Sequence, residues 1–185
     1  IAIGTKALRD NVSNDGNVAI GYQSMQDASG AELNTAVGNN AMRGTIDVNI
    51  TGDYNTAVGA GSLRDIKTGD KNSAFGAYAL LDLTTGNSNN VMGYEAAQNI
   101  TNGNYNVAIG QEALSTEDTN GYNVAVGFQA LNSNTTASNN VAVGEDALKD
   151  TTTGCQNIAM GRNAMEDNST GDLNVALGYN ALKTN

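Results

Sequence analysis

The chain has 185 residues and a formal net charge of −10, with nine Lys and Arg against nineteen Asp and Glu. This balance excludes a nucleic-acid partner, because phosphate backbones are held by clustered cations and the few present here are scattered. Histidine, proline and tryptophan are absent and 22 residues are glycine, which favours thin layers of small residues over a thick globular core. The single cysteine, Cys155, rules out an intrachain disulfide framework. No apolar run is long enough for a membrane helix, so we expect no membrane insertion in this segment.

A nine-residue pattern recurs eleven times along the chain, and residues 106–114 are a representative copy. It reads Asn-x-Ala-(large apolar)-Gly-x-x-(Ala or Ser)-(Leu or Met). Nine of the ten intervals between its glycines are 17 residues, and the remaining interval is 21. A fixed short period is typical of a solenoid in which each repeat forms one coil. The motif glycines are Gly4, Gly21, Gly38, Gly59, Gly76, Gly93, Gly110, Gly127, Gly144, Gly161 and Gly178.

The first half of each copy alternates as a β-strand does, since Val18 and Ile20 share one face and Ala19 lies on the other. The second half ends in adjacent apolar residues such as Ala130 and Leu131, with too few residues left per period for a stable helix. We therefore predict two short strands per coil, joined by a turn at the glycine. Polar segments rich in Thr, Gly and Asn close each coil. The predicted fold class is all-β, a parallel β-solenoid of about eleven 17-residue coils.

This solenoid is predicted to fill residues 1–185 as a single repeat domain. Because the chain opens within a motif, we expect it to be a fragment of a longer fibre. The 21-residue interval places a four-residue insertion in the connector of residues 43–54. The asparagine that opens each motif recurs at one coil position. We expect its side chain to bond its neighbours in a ladder or to cap the loop backbone.

Both faces of the predicted strands are apolar, yet no helix is predicted to cover them. A single roll buries only its inner face, so the outer face needs a second burial partner. The simplest partner is other copies of the same chain around a common axis.

The repeats resemble those of two families of fibrous proteins. Residues 106–110 resemble the head repeats of YadA-like trimeric autotransporter adhesins, and residues 152–161 are still more similar to repeats in bacteriophage tail fibres. The resemblance covers all eleven coils, although the 17-residue period is longer than that typical of the adhesin head. It implies a homotrimer of left-handed β-rolls that forms a shaft or head segment of a tail fibre involved in host-cell attachment.

Partners and location also follow from this resemblance. It implies other fibre or tail proteins and a host cell-surface receptor or glycan as partners, with the virion as the location. The alternative is the head of a bacterial trimeric autotransporter adhesin, on the bacterial cell surface, that binds host matrix or glycans.

No pattern in the chain indicates catalysis, a cofactor or a metal site, and we expect the protein not to be an enzyme. Hexapeptide acyltransferases share part of the motif, but they use a histidine as general base. The acid pair Glu145 and Asp146, and the pair at residues 117 and 118, do not recur at one coil position, as a calcium-binding array would require. A monomeric enzyme or ice-binding solenoid would show one polar strand face, which the sequence lacks.

Two features are candidates for surface recognition. The residue after the motif glycine is aromatic in four coils, and exposed aromatic rings suit the faces of sugars, although packing against adjacent turns is the alternative. These residues are Tyr22, Tyr94, Phe128 and Tyr179. The second feature is the inserted connector, with Arg43, Asp47 and Asn49, because loops on rigid scaffolds commonly bind partners. A length variant tolerated at the surface is the alternative there.

Overall fold

The structure is a computed structural model that describes residues 1–11, 15–45, 49–116 and 121–184. In these residues it is all-β, without a helix, and its eleven strands form one parallel sheet in sequence order. The strands are β1 (Ala2–Ile3), β2 (Val18–Ile20), β3 (Thr35–Val37), β4 (Thr56–Val58), β5 (Ser73–Phe75), β6 (Asn90–Met92), β7 (Val107–Ile109), β8 (Val124–Val126), β9 (Val141–Val143), β10 (Ile158–Met160) and β11 (Val175–Leu177). The predicted parallel β-solenoid is confirmed.

Each strand pairs with the equivalent residues one period later, so that Ala108 lies beside Ala125 and Ala125 beside Ala142. The 21-residue interval does not disturb this register, because Ala36 still pairs with Ala57. Eleven strands at the usual spacing of about 4.8 Å give a stack about 50 Å long.

The prediction of two strands per coil is wrong. Each coil contains one strand, and the segment after the motif glycine is a series of turns. In the coil of Gly127, Gln129 and Leu131 both have φ of 52°, which is the left-handed region and not the extended one. Side chains therefore do not alternate as in a strand, and Ala130 and Leu131 are both fully buried.

Left-handed backbone recurs at three positions in every described coil. These positions lie two and four residues after the motif glycine and one residue before the motif asparagine. The residue four after the glycine is apolar, and it is fully buried in every coil but the first and the last; it is Leu, Met or Ala and never Val or Ile. A side chain branched at Cβ is strongly disfavoured at positive φ, whereas Leu and Met are branched further out or not at all. Backbone conformation therefore explains why the motif takes Leu or Met there and not Val or Ile.

The motif position of the glycine is restricted in a second way, because the next coil leaves no space for a Cβ. At Gly110, φ is +134°, and a Cβ added there would lie 2.4 Å from the carbonyl oxygen of Gly127 in the next coil. Consecutive coils therefore approach each other through bare backbone at this corner. No other residue type fits there without moving the next coil.

The core is a thin layer between the sheet and the turns. The middle residue of each strand from β2 to β11, Ala in nine of them and Val91 in the tenth, points inward and is buried. It faces the buried residues of the turn segments, such as Leu114, Leu131 and Leu148. Small residues on one side and long unbranched ones on the other fill the narrow interior.

We predict that Leu131→Ile destabilises the protein more than Leu131→Met. Isoleucine keeps the volume of the buried side chain but places a branched Cβ at positive φ, which should cost about 2 kcal/mol of unfolding free energy. Methionine occupies the same coil position at Met165 and should cost less than about 1.5 kcal/mol. Denaturant unfolding followed by circular dichroism measures both. Equal stabilities of the two variants would refute the backbone explanation.

Candidate binding surfaces

The outward side of the sheet carries no charge and is mainly apolar, with Thr35, Thr56, Ser73 and Asn90 as its polar residues. We define the sheet face as the first and third residues of strands β2 to β11. None of these twenty residues is charged, although charged residues make up 15% of the chain. Its large side chains are substantially exposed, with Phe75 at 39%, Met92 at 54% and Ile109 at 42%. The predicted two-faced apolar strand is thus present, with alanines inside and larger residues outside.

A shallow depression interrupts the sheet face at strands β5 to β7. It has a volume of about 230 Å³ and is lined mainly by Phe75, Met92 and Ile109, with Ser73, Asn90 and Val91 around them. Here the inward residue is Val91 rather than alanine. Its lining carries no titratable group, so it offers a mainly apolar contact surface.

The motif asparagines form a buried polar ladder on the inside of the coil. The Nδ2 atom of Asn89 donates to the carbonyl oxygen of Gly103 at 2.8 Å, within the coil-closing turn. Its Oδ1 atom accepts the backbone N–H of Asn106 in the next coil at 3.0 Å. The same pair of bonds recurs at Asn72 and Asn140. Both predicted roles of this asparagine are therefore confirmed, and the cluster is structural.

The cysteine belongs to a second ladder on the outside of the turn. The backbone N–H of Cys155 donates to Asp172 Oδ1 at 2.6 Å, and its Sγ accepts the backbone N–H of Ser138 at 3.4 Å. Equivalent positions hold Asp53 and Asp70, which are linked in the same way. Cys155 is a free, partly buried thiol that replaces a carboxylate or amide in this ladder.

The four aromatic residues that the sequence predicts for recognition lie in one column but do not form one platform. Tyr22, Tyr94, Phe128 and Tyr179 are each 42–69% exposed. They lie on separate coils, and the nearest two, Tyr94 and Phe128, are two coils apart, about 10 Å along the stack. Sugar rings bound across all four would have to bridge intervening non-aromatic coils.

The structure places two other aromatic pairs together. Tyr105 and Tyr122 stack with ring centroids 5.0 Å apart and planes at 17°, and both are exposed. Tyr78 and Tyr94 meet edge to face at 6.1 Å. Sequence reasoning missed the stacked pair because it followed only the residue after the glycine. The 17-residue separation of Tyr105 and Tyr122 was the available signal.

The inserted connector rejoins the stack at Ile50. The N–H of Ile50 donates to the carbonyl oxygen of Asp27 at 3.0 Å, and its side chain is fully buried. Of the predicted recognition residues, Arg43 is partly buried, Asn49 is exposed, and Asp47 lies outside the described residues. The structure therefore does not bring these three residues together into a described site.

The acidic residues at positions 145 and 146 form separate ion pairs. Glu145 pairs with Arg162 of the next coil at 3.2 Å, and Asp146 pairs with Lys149 of its own coil at 3.2 Å. The acids at residues 117 and 118 lie outside the described residues. No group of three or more His, Cys, Asp or Glu that can hold a metal ion occurs in the part of the chain that the structure describes.

Two surface pKa shifts follow from such contacts. The Nε2 atoms of Gln129 and Gln111 donate to the carboxylate of Glu112 at 2.7 and 2.8 Å, which lowers the pKa of Glu112. Its charged form therefore favours the fold, and this contribution is lost as the pH falls through the lowered pKa. A hydrogen bond with Glu95 raises the pKa of Tyr94. Neither shift lies in a concave site suited to catalysis.

No protein-family model, curated protein or solved structure matches the chain. Among the residues that the structure describes, no helix has the length and apolar character required to span a membrane.

We predict that Asn89→Ala lowers the unfolding free energy by about 2–4 kcal/mol. The substitution leaves the Gly103 carbonyl and the Asn106 N–H buried without their partners, and each unsatisfied group costs about 1–2 kcal/mol. The control is Asn99→Ala, at an exposed turn residue away from the sheet face, which should change stability by less than about 0.5 kcal/mol. Denaturant unfolding compares the two. Similar losses for both variants would contradict a special role of the ladder.

Proposed function

We propose that this chain is a structural segment of a homotrimeric tail fibre, a stiff shaft that holds a host-attachment surface away from the virion. The observation that carries the proposal is the uncharged apolar sheet face, which runs along the whole stack. A solenoid that works as a monomer in water has no use for such a surface.

The size of the sheet face supports a role as an interaction surface. A stack about 50 Å long, with two outward columns about 7 Å apart, presents roughly 400 Å². The largest apolar patch on a typical monomer is about 300–600 Å² and is often functional. Exposed Tyr54, Tyr105 and Tyr122 lie one residue before the motif asparagines and extend the apolar surface at its border. Second copies of the chain, equally uncharged on this face, cover it without burying any unpaired charge.

Stiffness follows from the way each coil is fixed to the next. Strand hydrogen bonds, the asparagine ladder and the backbone contact at the motif glycine all act along the stack axis. Bending the rod would stretch these contacts on one side and compress backbone atoms on the other. Such a segment resists bending and holds its two ends at a fixed distance, as a fibre shaft requires.

The number of copies and the viral setting rest on the resemblance of the repeats to phage tail fibres. In that setting the partners are other fibre or tail proteins and a host receptor or glycan. We propose no catalytic role, because the described residues combine no nucleophile, base and pocket.

A second candidate is the head of a bacterial trimeric adhesin on the cell surface. The stacked and exposed Tyr105 and Tyr122 favour it, because they offer a direct contact surface on the stack itself. Both roles need the same trimer.

We predict that two carboxylates on the sheet face abolish association. In the variant Val126→Asp with Val143→Asp, third residues of β8 and β9, assembly would bury like charges from several copies at a severe energetic cost. The matched control places two aspartates on exposed turn residues, Thr153→Asp with Thr170→Asp. For an associating chain, the thermal midpoint rises with protein concentration. The control should retain this dependence and the sheet-face variant should lose it. Concentration dependence in both, or in neither, would contradict the proposed interface.

A further inference from the structure

A polar furrow runs along the stack at the corner after the buried turn segment. We define the polar furrow as the concave surface lined by Asp65, Asp82, Asn99, Thr84 and Thr101, with Thr45 and Thr116 at its ends. Its volume is about 550 Å³, within the range of ligand sites. From Thr45 to Thr116 it crosses four coil spacings, about 20 Å.

The furrow arises from three consecutive residues in each coil, of which the middle side chain points inward and the two flanking side chains point outward. In successive coils Ile66, Leu83 and Ile100 point inward and are fully buried. The residues on either side of each point outward and form two parallel walls. Asp65, Asp82 and Asn99 stand in one wall, while Thr84 and Thr101 stand in the other. The furrow is therefore a product of the repeat, with its chemistry set by these particular residues.

The position of the furrow keeps it accessible in the proposed fibre. It lies about seven residues after the motif glycine, and the sheet face lies one to three residues before it. In a 17-residue coil these positions are on opposite sides. Copies that cover the sheet face leave the furrow open to solvent.

An extended peptide is a poor occupant, because the backbone under the furrow has no free hydrogen-bonding edge. The N–H of Asp65 donates to Leu81 O at 3.0 Å, and that of Asp82 donates to Gln98 O at 3.0 Å. Strand addition needs unpaired backbone groups. Only side chains are available to a ligand here.

A bound cation is also a poor occupant. The Nη2 atom of Arg64 lies 2.6 Å from Asp65 Oδ2 and 3.6 Å from Asp82 Oδ1. The guanidinium thus already bridges the two carboxylates in the place where a cation would bind both. It also fixes their orientation, since its Nε donates to Asp65 Oδ1 at 2.8 Å.

Two side chains of the furrow remain available as hydrogen-bonding groups. The amide of Asn99 and the hydroxyl of Thr101 make no hydrogen bond within the described residues, while Thr84 Oγ1 donates to Thr101 O at 3.0 Å. Amide, hydroxyl and fixed carboxylate oxygens, repeated along a shallow channel, match the hydroxyl groups of a linear sugar chain. The net charge of −10 disfavours anionic sugars.

We propose that the polar furrow binds a neutral linear oligosaccharide, with Asn99 and Thr101 as hydrogen-bonding contacts and the carboxylates of Asp65 and Asp82 as acceptors for sugar hydroxyls. This inference names the ligand class for attachment along the shaft, and so rests on the fibre role proposed above.

The test is saturation-transfer NMR with maltotetraose, cellotetraose, mannotetraose and chitotetraose, with sialyllactose as the anionic comparison. At least one neutral tetrasaccharide should bind at millimolar concentration. Calorimetric titration of that sugar should then show a loss of at least about tenfold in affinity for Asn99→Ala with Thr101→Val, because two hydrogen bonds are removed. The matched control is Ser133→Ala with Thr135→Val, at the same coil positions two coils further on, which should bind like the parent.

Absence of binding by all four neutral sugars would overturn the proposal. Unchanged affinity in the furrow variant, equal loss in the control variant, or equally strong binding of sialyllactose would also overturn it. The solution mass of each variant is measured in parallel. A chain that keeps its oligomeric mass but binds no sugar refutes the furrow alone, whereas a folded monomer refutes the fibre role.

Discussion

Every coil in this protein must superpose on the next at the spacing of one β-strand, and the rest of the structure follows from that requirement. The motif glycines show it most directly, since a Cβ on any of them but the last would collide with the backbone of the glycine in the next coil. Any drift in period would separate these backbones and break the asparagine ladder. The insertion between β3 and β4 therefore leaves the strand register intact, and the chain is back in contact with the preceding coil at Ile50, before the next strand begins.

The period and the composition of the motif carried enough information for the solenoid, the strand positions and the ladder of asparagines. They were sufficient because one residue, such as Asn89, makes bonds that only an equivalent residue one coil away can complete. The predicted second strand is wrong because two adjacent buried apolar residues, such as Ala130 and Leu131, occur in a series of turns as well as in an extended segment. The restriction to Leu and Met at positions such as Leu131 is the sequence feature that indicates positive φ there. Hydrophobic periodicity alone does not distinguish left-handed from extended backbone.

Of the two candidate surfaces, the sequence likewise predicts one and not the other. The sheet face could be predicted, since an alternating strand with apolar residues on both sides must expose one of them. The polar furrow could not, because Asn99 and Thr101 lie in connectors that vary between coils and carry no repeated signature. Their proximity to Asp65 and Asp82 depends on the buried Ile100 and Leu83 between the two walls. Only the stacking of the folded coils places these residues along one channel.

An outer face without charge, on a chain with net charge −10, confines the acidic residues to the turns and connectors. In the proposed trimer, this distribution places the acidic residues on the solvent side and leaves the uncharged side of each copy to pack. The most direct test is the mass of the purified chain at micromolar concentration, measured by light scattering after size-exclusion chromatography. The account predicts three times the 19.0 kDa of one chain. A folded species of 19.0 kDa with its sheet face in water would contradict it.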